Sequence, residues 1–215
     1  MSNQKKKGMN LPNILTVVRI CMVPIFIVIM MLPASVMDPM TSGIIGTALF
    51  LIASFTDMLD GKIARKYNLV TDFGKLMDPL ADKFMVIGAM TAIVYRMATL
   101  FDGHHMALFV ITLLIVIFRE LAVTSLRLVA SASGGKVVAA NLLGKIKTVT
   151  QIAFVAIAIM EPLIYNIEGV KNAMNPWWNQ NIPISYGLAI LTVIFTIWSG
   201  VNYFVGLWKY LDPEK

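Results

Sequence analysis

"DMLDGKIARKYNLVTDFGKLMDPLADK", residues 57–83, is a charged interval in a chain that is otherwise oily. It joins the apolar run ending at Thr56 to the one beginning at Phe84. Five of the 12 acidic residues fall inside it: Asp57, Asp60, Asp72, Asp78 and Asp82. Their spacing is helical. Asp57 and Asp60 are i, i+3, and Gly61, Ala64 and Arg65 continue that face if the helix runs past its apolar part. Gly74, Asp78 and Asp82 are i, i+4, i+8, one stripe at the start of the next helix. The connection over 66–73 is short, so the two stripes are expected to face each other.

Working outward, 58% of the 215 residues are hydrophobic and only 14% are charged, with a mean hydropathy of +0.75. An ordinary soluble domain carries about 25% charged residues. Apolar segments recur near 14–33, 43–56, 84–101, 106–130, 148–165 and 182–208. Each is, alone or with its flanks, about the 17–25 residues that a membrane span needs. No alternating pattern of the barrel kind appears, which leaves helices as the spanning element. The expected fold is all-α, one membrane-embedded domain of six transmembrane helices over 1–215.

Lys5, Lys6 and Lys7 precede the first segment, as in a signal peptide. The run is too long for such a peptide, contains Arg19 and lacks a small-residue cleavage site, so it is expected to remain as a helix. With the N-terminus inside, every Lys and Arg except Arg96 and Lys171 lies on or near the cytoplasmic side. This distribution turns the net charge of +6 toward anionic lipid headgroups and away from nucleic acid. Trp177 and Trp178 suit an outer aromatic belt. His104 and His105 read as solvated loop residues, and the single Cys21 as a packing residue.

Four carboxylates at close range repel strongly unless some protonate or divalent cations sit among them. Oxygen-only ligands select hard cations such as Mg²⁺, Mn²⁺ or Ca²⁺. A pair of ions sharing four aspartates suits phosphoryl transfer. Gly61, Ala64 and Gly74 leave room for a bulky nucleotide, and Arg65 offers a fork for phosphate. Read as ordinary helix-end carboxylates, Asp78 and Asp82 would suit a helix N-terminus. Asp57 and Asp60 would then sit at a C-terminus, where the dipole disfavours them.

The pattern Asp57-x-x-Asp60-Gly61-x-x-Ala64-Arg65-x8-Gly74-x3-Asp78-x3-Asp82 resembles the signature of the CDP-alcohol phosphatidyltransferases at every fixed position. "NLPNILTVVRI", 10–20, is similar to the segment with which that family enters its first helix. The resemblance implies a six-helix membrane enzyme, usually a homodimer, that uses Mg²⁺ or Mn²⁺ to displace CMP from a CDP-linked donor. It implies Asp57, Asp60 and Asp78 as ligands of a first ion, and Asp57, Asp78 and Asp82 as ligands of a second. Asp82 would also be the general base. Gly61, Arg65 and Thr71, with Asn13 and Thr16, would contact CDP-diacylglycerol.

"FRELAVTSLR" (118–127), "GKIKTVTQ" (144–151) and "SGVNYF" (199–204) resemble the bacterial branch that uses sn-glycerol 3-phosphate as acceptor. That branch makes phosphatidylglycerophosphate at the cytoplasmic face of the cell membrane. Such an acceptor is a dianion and needs cations of its own. Arg127, Lys145 and Arg119, in that order, are the expected phosphate contacts, because charges on an otherwise apolar helix are costly unless used or paired. Arg119 paired with Glu120, and lysines acting only as topology signals, are the competing reading. Other acceptors (inositol, serine or phosphatidylglycerol) remain open. A divalent-cation transporter would more often show repeats and acids on several helices at mid-membrane. A membrane prenyltransferase with an aspartate-rich element would normally be longer and lack DxxDGxxAR.

Overall fold

The computed structural model describes residues 10–67, 71–101, 105–132 and 142–208, without the side chains of Asp60, Ala64, Arg65, Asp72, Lys75, Ser131, Ala132 and Asn179. The described residues form helices and no strand: α1 Leu11–Met31, α2 Pro39–Lys66, α3 Asp72–Leu100, α4 Met106–Ala132, α5 Leu142–Tyr165, α6 Glu168–Ala173, α7 Pro176–Asn181 and α8 Pro183–Leu207. Six of these are long and apolar enough to cross a membrane: α1 to α5 and α8. At 1.5 Å per residue the 21 residues of α1 reach about 31 Å, the thickness of a hydrocarbon core. The chain is thus a multi-pass, all-helical membrane protein. It packs as two compact units, Met1–Ala89 and Met90–Lys215, with the division inside α3.

In the first unit, α1 buries a single stripe: Pro12, Asn13, Thr16, Arg19, Val23, Phe26 and Met30. The upper part of this stripe is apolar and packs on α2, where Phe26 and Phe50 lie 6.1 Å apart, centroid to centroid. Ala81, Met85 and Ala89 are the buried face of α3. A Cβ on Gly88 would fall 2.8 Å from Ile27 Cδ1 and 3.2 Å from Val23 Cγ1, so a larger residue there would push these α1 side chains aside. The lower part of the α1 stripe is polar, and it carries the site described below.

α2 extends ten residues beyond the apolar segment that ends at Thr56. Residues 57–66 are mostly good helix formers, and the helix stops only at Tyr67, whose N–H bonds Ile63 O at 3.0 Å. Asp57 and Asp60 therefore lie inside a helix and not at its C-terminus. The expectation that the dipole opposes them is corrected accordingly. At the other end, Asp38 caps the helix by accepting from Thr41 N at 3.1 Å, ahead of Pro39.

In the second unit, α8 buries a stripe that is mostly small and polar: Ser185, Ala189, Thr192, Thr196, Ser199, Tyr203 and Leu207. Small residues let helix backbones approach, and hydroxyls satisfy themselves across the contact. Thr192 Oγ1 donates to Thr150 O on α5 at 3.3 Å. Phe109 of α4 stacks on Phe154 of α5 at 5.5 Å.

The segment before α8 holds more structure than its sequence suggests. α6 and α7 are short helices where a loop was expected, and Asn175 caps α7 by accepting from Trp177 N at 3.0 Å. Trp177 and Trp178 are exposed, as a belt position requires. Ile182 has φ 37°, a left-handed conformation that is strained for a β-branched residue, yet it is fully buried. What holds the turn is Glu161 of α5. Its carboxylate accepts from Ile184 N at 2.9 Å, Ser185 N at 2.6 Å, the Ser185 hydroxyl and Tyr165 OH at 3.0 Å. Pro183 has no N–H, and the N–H groups of Ile184 and Ser185, which lack a carbonyl partner in the first turn of α8, end there. Glu161→Ala is expected to lower stability by about 3 kcal/mol or more, since each stranded buried donor costs about 1–3 kcal/mol. Thermal unfolding in detergent checks this, and Glu161→Gln should fall between.

His105 corrects another expectation. It is buried, with Nδ1 2.7 Å from Tyr186 OH and Nε2 2.7 Å from Gln180 O, and so ties the start of α4 to α7 and α8. His104 lies outside the described residues. Arg96, one of the two basic residues assigned to the outer side, is buried; Cys21, expected to pack, is exposed.

Candidate active site

The polar end of the first unit is built by α1 reaching across to α2 and α3. Asn13, Thr16 and Arg19 are spaced i, i+3, i+6 on the buried stripe of α1. Arg19 is fully buried and its Nη1 is paired with Asp57 Oδ1 on α2. The Asp57 side chain is 37% exposed, so the carboxylate is held from within and keeps an open side. Thr16 Oγ1 donates to Asp78 Oδ1 on α3 at 2.7 Å and shares its proton with Pro12 O at 3.0 Å. A buried arginine in a membrane helix is tolerable only with such a partner, and removing either half of the pair strands a charge.

Thr71 stands just before α3 and accepts from Gly74 N at 3.0 Å, the bond of a helix cap. Its hydroxyl donates onward to Asn13 Oδ1 at 2.9 Å. A Cβ on Gly74 would come within 3.1 Å of Asn13 Oδ1 and 3.3 Å of Thr71 Oγ1, so the absence of a side chain there is what admits α1. Asp78 and Asp82 are both half-buried on α3. Gly61 is half-buried on α2, and the side chains of Asp60 and Arg65 lie outside the described residues.

Asp57 and Asp78 are thus each gripped by a residue of α1, while Asn13 and Thr71 form a hydrogen-bonded pair beside them. Asn13, Thr16 and Thr71, which the resemblance implies as donor contacts, here hydrogen-bond protein groups. Arg19 had been noticed only as a charge out of place in an apolar run. That anomaly is the signal that could have found it. Among the described residues no three His, Cys, Asp or Glu side chains form a metal-holding group. By chemistry the donors suit a hard divalent cation: Asp57, Asp78 and Asp82 offer only oxygen, and the Asp57 side chain is 37% exposed.

The second unit carries a cationic cluster along the second half of α4. Arg119 Nη1 donates to Glu120 Oε1 at 3.1 Å and Nη2 to Ser199 Oγ of α8 at 2.6 Å. Lys147 of α5 is buried and paired with the same Glu120 oxygen. Arg127 Nη2 donates to Tyr203 OH at 2.6 Å and makes no ion pair with any described residue. The cluster of Arg119, Arg127 and Lys147 against Glu120 leaves two positive charges in excess. Of the expected phosphate contacts, Arg119 and Arg127 are brought together. Lys145 is exposed on α5 and makes no ion pair with the described residues, and Lys147 takes the inward place.

Comparison with known proteins decides the family. The model of the CDP-alcohol phosphatidyltransferase family matches residues 9–198, across both units. The chain belongs to that family. A CDP-diacylglycerol–glycerol-3-phosphate 3-phosphatidyltransferase of Bacillus subtilis is 40% identical over 96% of this chain and 99% of its own. The enzyme of the same name from Salmonella paratyphi A is 31% identical over 90% and 92%. A CMP-forming cardiolipin synthase of rice is 33% identical over 95% of this chain but 59% of its own length. In this CDP-alcohol phosphatidyltransferase two of the four aspartates of the pattern, Asp57 and Asp78, are those that α1 grips.

Proposed function

We propose that this chain transfers the phosphatidyl group of CDP-diacylglycerol to sn-glycerol 3-phosphate, releasing CMP and forming phosphatidylglycerophosphate. The observation that carries the choice of acceptor is the cluster on α4, α5 and α8. Arg119 and Lys147 share one glutamate and Arg127 stands beside them on Tyr203, and the excess of two positive charges matches a phosphate dianion. Inositol and serine present no such group. The names of the Bacillus and Salmonella relatives point the same way.

In this reading the acceptor hydroxyl gives its proton to Asp82 as its oxygen attacks the donor's phosphorus, and the bond from that phosphorus to CMP breaks. Asp57, Asp60, Asp78 and Asp82 would hold two Mg²⁺ or Mn²⁺ ions, which stabilise charge on the diphosphate. Arg19 and Thr16 fix the Asp57 and Asp78 carboxylates in advance, so little reorganisation is left for the reaction. Asn13, Thr16, Gly61, Arg65 and Thr71 border the donor, and Arg127, Arg119 and a lysine hold the acceptor phosphate. The lysine excess at the helix ends supports a site on the cytoplasmic face. The family resemblance supports a homodimer.

The test is CMP release from CDP-diacylglycerol by the purified enzyme in detergent, with glycerol 3-phosphate, inositol, serine and phosphatidylglycerol supplied in turn. Glycerol 3-phosphate is expected to exceed the others by about tenfold or more, the worth of one charge-assisted hydrogen bond. Phosphatidylglycerol as the preferred acceptor would favour the activity in the rice relative's name.

A further inference from the structure

Tyr203 of α8 lies between the two guanidinium groups of α4. Its ring is buried, with the Arg127 guanidinium carbon 4.7 Å from the centroid and that of Arg119 5.6 Å away. The two arginines are otherwise held differently. Arg119 is fixed by Glu120 and Ser199, and its stem lies against α8, 3.3 Å from where a Cβ of Gly200 would be. Arg127 has the Tyr203 hydroxyl as its one hydrogen-bond partner among the described residues. A guanidinium has five donors in a planar fork, and Arg127 uses one.

An arginine side chain is flexible, and a bidentate grip on phosphate needs its fork in one plane and one rotation. The tyrosine ring, with its centroid 4.7 Å from the guanidinium carbon, restricts the tilt of the fork by contact. The hydroxyl fixes the rotation by holding one Nη, which leaves the remaining donors turned away from Tyr203. A ring alone supplies the first constraint and not the second. We propose that Tyr203 is the positioning residue of the acceptor site, presenting the Arg127 fork to the phosphate of the acceptor. This rests on the acceptor reading given under Proposed function.

The experiment is steady-state kinetics of Tyr203→Phe and Tyr203→Leu in mixed micelles, varying donor and acceptor separately, with inorganic phosphate as a competitor of the acceptor. Tyr203→Phe is expected to raise KM for glycerol 3-phosphate about fivefold, the loss of one positioning hydrogen bond. Tyr203→Leu should raise it about 30-fold, as the ring contact goes too. The inhibition constant of inorganic phosphate should rise in step, and the donor KM should stay within about twofold. The partial rescue by Phe separates positioning from plain packing. Equal effects on both substrates, or a fall in kcat with the acceptor KM unchanged, would overturn the proposal. If Tyr203→Leu fails to fold, the Phe variant and its phosphate inhibition decide alone. A wild-type enzyme that ignores glycerol 3-phosphate but uses another acceptor would sink the acceptor reading itself. A wild type that uses it, with Arg127→Lys impaired and both Tyr203 variants normal, would sink only the role of Tyr203.

Discussion

Asp78→Asn is expected to remove turnover and divalent-cation binding together. The carboxamide keeps the size of the side chain and can still meet the Thr16 hydroxyl, which bonds Asp78 Oδ1 at 2.7 Å. It loses the negative charge that a hard cation requires. If the ions contribute about 4 kcal/mol to the transition state, kcat should fall about 10³-fold. Binding of Mn²⁺ to the purified protein, followed by electron paramagnetic resonance, gives a readout independent of activity. Thr16→Val leaves the charge and removes only the hydroxyl that orients it, so its cost should be smaller, about 10–100-fold. Near-normal turnover of Asp78→Asn at limiting cation would show that the aspartates are not the metal site.

Arg127→Lys is expected to raise KM for glycerol 3-phosphate by about tenfold or more and to leave the CDP-diacylglycerol KM nearly unchanged. Lysine retains the charge but not the planar fork, and it cannot match two phosphate oxygens at once. A charge-assisted hydrogen bond is worth about 1.5–3 kcal/mol, which sets the factor. Arg127 is the informative choice among the basic residues. Arg119 and Lys147 share Glu120, so changing either one disturbs an ion-pair network as well as a ligand contact. Arg127 is exposed and bonded only to Tyr203 among the described residues, so its replacement strands no partner charge. Equal effects on both substrates would mean that Arg127 is structural.

The number of membrane spans and the helical placement of the aspartates were legible in the sequence. Both depend on local periodicity or composition. Helix formation in an apolar environment satisfies backbone groups within each segment, so spans can be read without knowing their neighbours. The i, i+3 and i, i+4 spacing of Asp57, Asp60, Asp78 and Asp82 follows from helix geometry alone. Which side chains meet across helices is a different matter. Arg19 finds Asp57 38 residues away, Thr16 finds Asp78 62 residues away, and Arg127 finds Tyr203 76 residues away. Lys145 and Lys147 were indistinguishable as sequence, two cations at the start of one helix. Two residues are about 200° of helical rotation, so only one of them can face α4, and packing turned Lys147 inward to Glu120. His105 and Glu161 were hidden for the same reason, since their partners lie on α7 and α8. The sequence by itself determined which faces of the helices are polar. Only the tertiary structure decided what each polar face meets, because that depends on the rotation and approach of whole helices, set by residues such as Gly74 and Gly88 that carry no chemistry of their own.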